Sequence, residues 1–209
     1  MMPDSPLSAH VAAELTRDGY VVVEEFLQDS TIAALASECG ELQTCGALQP
    51  AAIGRAGGRQ LDAAVRGDHT KWFDPAALSA AQERYWSRMG ILRHALNREL
   101  LLGLEELDAH FALYPPGAGY ARHRDRFRDD DARVLSTVLY LNAGWREADG
   151  GALRLHLPAQ APVAHRDIFP IAGTLVVFLS ADFEHEVLPA KRDRLSIAGW
   201  MRRSAAAPR

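Results

Sequence analysis

The chain has 209 residues, 48% of them apolar and 24% charged. That composition is typical of a globular protein, and the length is sufficient for one domain with a sizeable core. The formal net charge of -4 and the isoelectric point of about 6.1 argue against a protein that binds nucleic acid or an anionic membrane through its overall charge.

Neither the N-terminal segment nor the cysteines indicate a secreted or membrane protein. No apolar run approaches the roughly 20 residues that span a bilayer, and the N-terminal residues lack the basic start and apolar block of a signal peptide. Cys39 and Cys45 are too few for a disulfide framework, and no Cys or His lies at the spacing of a zinc finger. We therefore expect two unpaired thiols in a cytoplasmic protein.

The first third of the chain predicts two helices with a strand between them. Ser8–Arg17 has an amphipathic helical pattern that ends at Asp18-Gly19. Tyr20–Leu27 is a β-branched and aromatic run typical of a strand. Asp29 then begins a helix whose apolar stripe comprises Ile32, Leu35, Ala36 and Leu42.

The segment from Gly46 to Asp68 has no clear periodicity and is rich in glycine, alanine and polar residues. Long loops in compact domains are usually functional or mobile, so we predict a mobile loop over residues 46–65. A long amphipathic helix is then predicted from Pro75 to about Leu101, with an apolar stripe of Leu78, Tyr85, Met89, Leu92 and Leu96.

After Leu107 the pattern changes from helices to short strands bounded by Gly, Pro, Asn or Asp. The predicted strands are His110–Tyr114, Val134–Asn142, Ala152–Leu157, Thr174–Ser180 and Arg194–Met201. Successive strands without intervening helices favour an antiparallel sandwich or jelly roll over a parallel sheet. The sequence therefore predicts one mainly β domain with α-helices: a jelly roll (double-stranded β-helix) at 108–201, supporting helices at 1–107 and a tail at 202–209.

Three potential metal ligands lie in the strand-rich half. In His123-Arg124-Asp125 an imidazole and a carboxylate alternate with a non-ligand, so an extended backbone would point both to one side. His185 follows about 60 residues later, after the strand Thr174–Ser180. Two histidines and one carboxylate form a facial triad that leaves open coordination positions, as a mononuclear Fe(II) oxygenase requires.

Arg194 lies nine residues after His185 and shares a strand face with Ser196, Ala198 and Trp200. A guanidinium inside an apolar sheet is costly unless it meets an anion. The distal carboxylate of a dicarboxylic cosubstrate would satisfy it through two hydrogen bonds.

Each feature alone also has an ordinary explanation. His-x-Asp occurs by chance, His185 fits a loop or core histidine, and Arg194 could pair with Asp193 or Glu186. The acidic run Asp129–Asp131 is expected to be solvated. The remaining histidines are expected at the surface or satisfied in the core: His10, His69, His94, His110, His156 and His165. The order of His-x-Asp, His and Arg is what indicates the metal site.

At these residues the chain resembles the 2-oxoglutarate/Fe(II) dioxygenase superfamily, and within it the egl-nine type prolyl hydroxylases. These include the hypoxia-inducible-factor hydroxylases and their bacterial relatives. The resemblance runs from about Arg66 to Met201. It comprises Arg66-Gly67-Asp68 with Trp72, Tyr114-Pro115, Gly119 to Asp125, Tyr140-Leu141-Asn142 with Trp145, Gly150 to Leu153, His185-Glu186-Val187 with Pro189-Ala190, and Arg194 to Trp200.

The resemblance implies a role for each matching residue. Iron would be held by His123, Asp125 and His185. The cosubstrate would be held by Arg194 and the Tyr140 hydroxyl, with Leu153, Val187, Ser196 and Trp200 lining its pocket. Tyr114 would lie near the iron, and Arg133 and Trp72 would face the substrate. One departure is Ala198, where the family carries a hydroxyl, so a polar contact to the cosubstrate is missing.

The implied reaction is hydroxylation coupled to oxidative decarboxylation, with Fe(II), 2-oxoglutarate and dioxygen, succinate and carbon dioxide as co-products, and ascorbate as reductant. A proline in a protein loop is the leading substrate hypothesis, and the bacterial relatives suggest elongation factor Tu. Two alternatives stay open: a hydroxylase of a free amino acid or other small molecule, and a non-catalytic jelly-roll module that binds or senses a metal. The sequence does not indicate an oligomeric state.

Overall fold

The computed structural model describes residues 6–52, 62, 64–126 and 132–204. The helices in this part of the chain precede most of the strands: α1 (Pro6–Asp18), α2 (Asp29–Thr44) and α3 (Ala80–Leu100). α1 ends where Gly19 takes a φ of 76°, a conformation that glycine adopts at little cost. None of these described helices is long and apolar enough to cross a bilayer.

α3 begins later than the predicted start at Pro75. The Asp74 carboxylate accepts a hydrogen bond from the N–H of Ala76 at 2.9 Å, so the chain forms a turn here instead of the first turn of a helix. The Ser79 hydroxyl then accepts from the N–H of Gln82 at 3.2 Å and caps the helix. The predicted start was wrong because local side-chain hydrogen bonds place the cap at Ser79.

The described residues form eleven strands in two antiparallel sheets. In chain order these are β1 (Tyr20–Val23), β2 (Gln49–Pro50), β3 (His69–Trp72), β4 (Glu106–Tyr114), β5 (Tyr120–His123), β6 (Arg133–Tyr140), β7 (Leu153–His156), β8 (His165–Ile168), β9 (Leu175–Leu179), β10 (Glu184–Val187) and β11 (Arg194–Arg202). The large sheet has the order β1-β9-β6-β11-β4-β3-β2, and the small sheet has the order β5-β10-β7-β8. This architecture confirms the predicted mainly β jelly roll with supporting helices.

The central strands of the large sheet are buried on both faces, and their alternate residues face two separate cores. Leu175 and Val177 of β9 pack in the core that the helices cover. Val176 and Phe178 pack in the second core, together with Leu153 of the small sheet. Burial on both faces explains why β9 is an uninterrupted apolar run. The second core, between the two sheets, contains the candidate site.

Some predicted boundaries were wrong. β1 ends at Val23 and not at Leu27, because Glu25 takes a φ of 52° that a strand does not accommodate. The sequence also missed β2, β3, β8 and β10, which are too short or too polar to show apolar alternation. β2 lies inside the predicted 46–65 loop. Residues 53–61 and 63 of that loop, the acidic run 129–131 and the tail residues 205–209 lie outside the described residues.

The burial of alternate strand residues predicts how much each of two valine-to-alanine variants changes the free energy of unfolding. Val177 is fully buried, whereas Val163 is 55% exposed. Val177→Ala should lower the free energy of unfolding by about 2 kcal/mol, since it removes two buried methyl groups and leaves a cavity. Val163→Ala should change it by less than about 0.5 kcal/mol. Urea denaturation followed by circular dichroism measures both, and equal values would contradict the assigned layering.

Candidate metal centre

The potential ligands predicted from sequence converge at the edge of the small sheet. β5 and β10 pair with His123 directly opposite His185, and Asp125 follows just after the end of β5. One ligand atom from each side chain lies within 4.8 Å of the other two. Nε2 of His123 and Nε2 of His185 are each 3.7 Å from a different oxygen of the Asp125 carboxylate. This spacing suits three ligands that share one ion.

Both imidazoles are oriented so that Nε2 faces the shared centre. Nδ1 of His123 lies 2.8 Å from the carbonyl oxygen of Ala121, and Nδ1 of His185 lies 3.4 Å from that of Phe183. A carbonyl only accepts, so Nδ1 carries the proton and Nε2 keeps its lone pair for a metal. Burial lowers the pKa of His185 to about 4, so this imidazole is neutral at pH 7.

Asp125 is held by hydrogen bonds that do not use up its capacity as a ligand. The Ser136 hydroxyl donates to Oδ2 at 2.7 Å and also contacts the Ser180 hydroxyl at 2.8 Å. Arg133 donates to the Asp125 backbone carbonyl at 3.3 Å. Burial acts to raise the pKa of the Asp125 carboxyl, but the two imidazoles and Ser136 hold it well below its usual range. The side chain is therefore an anion.

A second group of residues, which the sequence analysis left without a role, supports the His123 ring. Tyr120 stacks on it with centroids 3.6 Å apart, and the Arg66 guanidinium lies 4.9 Å from the centroid of Tyr120. Arg66 donates two hydrogen bonds to Asp68, at 2.7 and 3.0 Å. Arg66-Gly67-Asp68 was visible as a motif, but its position beside the ligand strand depends on a bridge between Arg66 and Tyr120.

At the other end of the site Arg194 is buried, with 1% of its surface exposed. Its Nε donates to the carbonyl of Gly151 at 2.8 Å, and its Nη1 lies 3.4 Å from the Ser196 hydroxyl. The rings of Tyr114 and Tyr140 lie 5.2 and 5.1 Å from the guanidinium. No carboxylate among the described residues pairs with Arg194, so the ordinary explanation of an ion pair with Asp193 or Glu186 is wrong.

Two hydrogen-bond donors at this end have no partner among the described residues: Nη2 of Arg194 and the Tyr140 hydroxyl. Burial raises the pKa of Tyr140 to about 12, so its hydroxyl keeps its proton. An unpaired buried charge is unfavourable, and a carboxylate would satisfy both donors. These residues therefore fit the distal carboxylate of a dicarboxylic acid.

The close approach of Gly151 to Arg194 requires glycine. Gly151 has a φ of 71°, and a β-carbon there would lie 3.3 Å from Cδ of Arg194 and 2.9 Å from Cβ of Ala190. A side chain at this position would strain the backbone and crowd the Arg194 side chain that Gly151 holds through its carbonyl.

A cavity of about 300 Å³ joins the triad to Arg194. All the residues predicted to serve the site line it, except Tyr140, which borders it beside Arg194. They are Trp72, Tyr114, His123, Asp125, Arg133, Leu153, His185, Val187, Arg194, Ser196 and Trp200. Ala198 also lines the cavity without a hydroxyl. Two corrections concern His69 and His110, which were expected at the surface or satisfied in the core. Nδ1 of His69 and Nε2 of His110 are buried without a partner among the described residues, and His110 forms part of the cavity wall.

Comparison with known proteins agrees with this geometry. Residues 109–202 match the sequence profile of the 2OG-Fe(II) oxygenase superfamily, a segment that contains all three ligands and Arg194. The crystal structure of a Pseudomonas putida prolyl-4-hydroxylase superposes with a TM-score of 0.85 at 46% identity, over 95% of this chain and 100% of that one.

Two further relatives are prolyl hydroxylases of animals. A prolyl hydroxylase from Trichoplax adhaerens, solved with a peptide fragment of the hypoxia-inducible factor oxygen degradation domain, superposes with a TM-score of 0.83 at 26% identity, over 94% of this chain and 89% of that one. A hypoxia-inducible factor prolyl hydroxylase of Caenorhabditis elegans is 31% identical over 93% of this chain. The chain spans 28% of the length of that curated relative.

The geometry predicts how metal affinity responds to substitution. His123→Ala, Asp125→Ala and His185→Ala should each weaken Fe(II) binding by more than the roughly 10–100-fold that loss of an outer hydrogen bond costs, because three ligands leave no spare donor. Ser136→Ala, which removes only such an outer contact to Asp125, should fall within that range. Iron content after anaerobic loading and dialysis measures the effect.

The matched control is His165→Ala, which removes an exposed imidazole from the same small sheet and should bind iron as the unsubstituted protein does. Circular dichroism should show that all variants are folded. A folded triad variant with full iron occupancy would refute the assignment of that ligand.

Proposed function

The chain belongs to the 2OG-Fe(II) oxygenase superfamily, and on that premise we propose that it is a 2-oxoglutarate-dependent prolyl hydroxylase acting on a polypeptide. The observation that carries the proposal is one cavity with a metal triad at one end and Arg194 at the other, where Nη2 of Arg194 and the hydroxyl of the adjacent Tyr140 have no partner among the described residues. The similarity to the Pseudomonas putida prolyl-4-hydroxylase over the full length of both chains supports the prolyl substrate.

In this proposal His123, Asp125 and His185 hold Fe(II). Arg194 and Tyr140 hold the distal carboxylate of 2-oxoglutarate, Ser196 adds a polar contact, and the apolar walls exclude water. Bound Fe(II) with 2-oxoglutarate and dioxygen supplies the oxidising chemistry, which yields succinate and carbon dioxide as co-products and uses ascorbate to keep the iron reduced. The protein contributes open coordination, orientation and a dry cavity.

The substrate would enter beside Trp72, which is 47% exposed and lies at the cavity wall. Its ring packs 5.9 Å from that of Trp200, and the Arg133 guanidinium lies 3.9 Å from the centroid of Trp200. An aromatic surface suits a proline ring, and a guanidinium suits a peptide carbonyl. Tyr114 lies deeper, where burial raises the pKa of its hydroxyl well above the ordinary value.

Two alternatives compete with this proposal. A hydroxylase of a free amino acid or other small molecule would use the same triad and Arg194, but it would have less use for an exposed tryptophan at the mouth. A non-catalytic module that binds or senses a metal would have no need of the buried Arg194 and Tyr140. The predicted loop over residues 46–65 does not enter the choice, since half of it lies outside the described residues.

Mass spectrometry tests the substrate class. The iron-loaded protein with 2-oxoglutarate, ascorbate and dioxygen should add one oxygen atom to proline in at least one peptide of a panel. The panel should include proline-containing loops of elongation factor Tu, with the same peptides carrying alanine for proline as controls. Hydroxylation of free amino acids alone would favour the small-molecule alternative. No 2-oxoglutarate turnover on any substrate would favour the non-catalytic module.

A second experiment tests the role of Arg194 apart from the substrate. Arg194→Lys keeps the charge but loses the planar fork, so the affinity for 2-oxoglutarate should fall about 10- to 100-fold, as expected for one lost charged hydrogen bond. Iron affinity should stay within about twofold. Arg192→Lys is the matched control, because Arg192 is exposed and hydrogen-bonds the Ala143 carbonyl. Titration with 2-oxoglutarate under anaerobic conditions measures each variant, and unchanged affinity in Arg194→Lys would exclude the role.

A further inference from the structure

One buried polar residue of the cavity is used neither by the triad nor by Arg194. His110 lies on β4, is 1% exposed and lines the cavity. Its Nδ1 lies 3.0 Å from the carbonyl oxygen of Phe111, so Nδ1 carries the proton. Burial lowers the pKa of the imidazole to about 4, which leaves it neutral at pH 7. Nε2 is then a hydrogen-bond acceptor.

That acceptor is buried and has no hydrogen-bond partner among the described residues. The residue opposite His110 on β11 is Ala198, whose methyl group offers no hydrogen bond. Buried polar atoms are nearly always hydrogen-bonded, so an unpartnered one in a cavity wall indicates a missing ligand atom.

The strand register places His110 toward the mouth of the cavity. Arg194 pairs with Tyr114, whereas Ala198 pairs with His110, four residues further along the same ladder. At about 3.3 Å per residue this separates the two levels by roughly 13 Å. On its other side His110 pairs with the partly exposed Trp72. His110 therefore faces the part of the cavity that a substrate enters, and not the end that Arg194 closes.

A donor without a partner lies beside this acceptor. Nε1 of Trp200 is buried and has no hydrogen-bond partner among the described residues. The rings of Trp200 and His110 lie 5.5 Å apart, and both residues line the cavity. An acceptor and a donor side by side are complementary to the N–H and C=O groups of a polypeptide backbone.

We propose that His110 is a specificity-determining residue, whose Nε2 accepts a hydrogen bond from a backbone N–H of the polypeptide substrate while Trp200 Nε1 donates to a nearby substrate carbonyl. This inference rests on the proposed function, because it specifies how a peptide is recognised at the same cavity. A proline within a polypeptide has no backbone N–H, so the donor must come from a neighbouring residue, which a free amino acid does not have.

The first test measures peptide binding to protein loaded with Mn(II) and 2-oxoglutarate without dioxygen, by calorimetry, with a peptide that the unsubstituted protein hydroxylates. His110→Leu removes the acceptor at similar volume and should raise the Kd about 5- to 20-fold, as for one lost hydrogen bond with a buried partner left unpaired. His110→Gln, which can present an amide oxygen, should stay within about threefold. His94→Leu, an exposed histidine on α3, is the matched control and should equal the unsubstituted protein.

The second test identifies the substrate atom. Peptides in which one backbone amide at a time is replaced by an ester lack a single N–H. One of them should bind the unsubstituted protein about 5- to 20-fold more weakly than the parent peptide, and should lose nothing further with His110→Leu. The proposed contact would be overturned if, for every ester, the loss of affinity simply added to the loss caused by His110→Leu. An unchanged Kd in His110→Leu would overturn it as well.

The outcomes separate this inference from the proposed function. If the unsubstituted protein neither binds nor hydroxylates any proline peptide, the prolyl substrate fails and the role of His110 fails with it. If it hydroxylates a peptide but His110→Leu binds that peptide equally well, only the inference about His110 fails. If His110→Leu does not fold, the ester scan on the unsubstituted protein and on His110→Gln decides. The proposal is overturned if every ester peptide binds as tightly as the parent peptide.

Discussion

The rest of the site depends on one buried guanidinium that has no counter-charge among the described residues. Arg194 lies between two sheets, held by a backbone carbonyl and a hydroxyl, and has no carboxylate partner among the described residues. Such a charge is tolerated only where the surrounding structure leaves little room for relaxation and where a ligand can complete the pairing. The tyrosine rings beside Arg194 and the glycine that approaches its side chain hold the guanidinium in a position where it can bind a carboxylate.

Each of the two sheets contributes different functional residues to the cavity. The small sheet carries both histidine ligands on neighbouring strands, and the large sheet carries Arg194 and the Ser136 hydroxyl that holds Asp125. Asp125 itself follows a bend after β5 and connects the two layers. Helices cover the far side of the large sheet, so its other face is left to carry Arg194 and Ser136 on the side of the metal ligands.

The cavity also has two chemically distinct ends. One end, at Arg194, is closed, charged and suited to a small dicarboxylic acid. The other, at Trp72, is partly open and aromatic, and there an acceptor on His110 and a donor on Trp200 have no partner among the described residues. In the proposed function this difference would order the two reactants, with the acid at the Arg194 end and the polypeptide at the mouth. The coordination chemistry between them needs few acid–base groups of the protein.

The sequence by itself determined the class of fold, and it predicted the residues of the site. The spacing of His123, Asp125, His185 and Arg194 indicated a metal triad and a cosubstrate anchor, because ligand type and order are local properties of the chain. Strand-forming runs such as β9 and β11 were recognisable from their apolar and β-branched residues. The α3 boundary was less accurate, since side-chain hydrogen bonds at Asp74 and Ser79 compete with the helical pattern.

Only the tertiary structure decided which residues meet across the sheets. The pairing of β5 with β10, the stacking of Tyr120 on His123 and the position of His110 opposite Ala198 all join residues through strand register. His110 reads as an ordinary core histidine, because no local pattern distinguishes a satisfied imidazole from one that faces a cavity. Cross-strand register depends on contacts between distant segments, and a shift of one residue would turn each side chain to the other face. That information exists only once the sheets have formed.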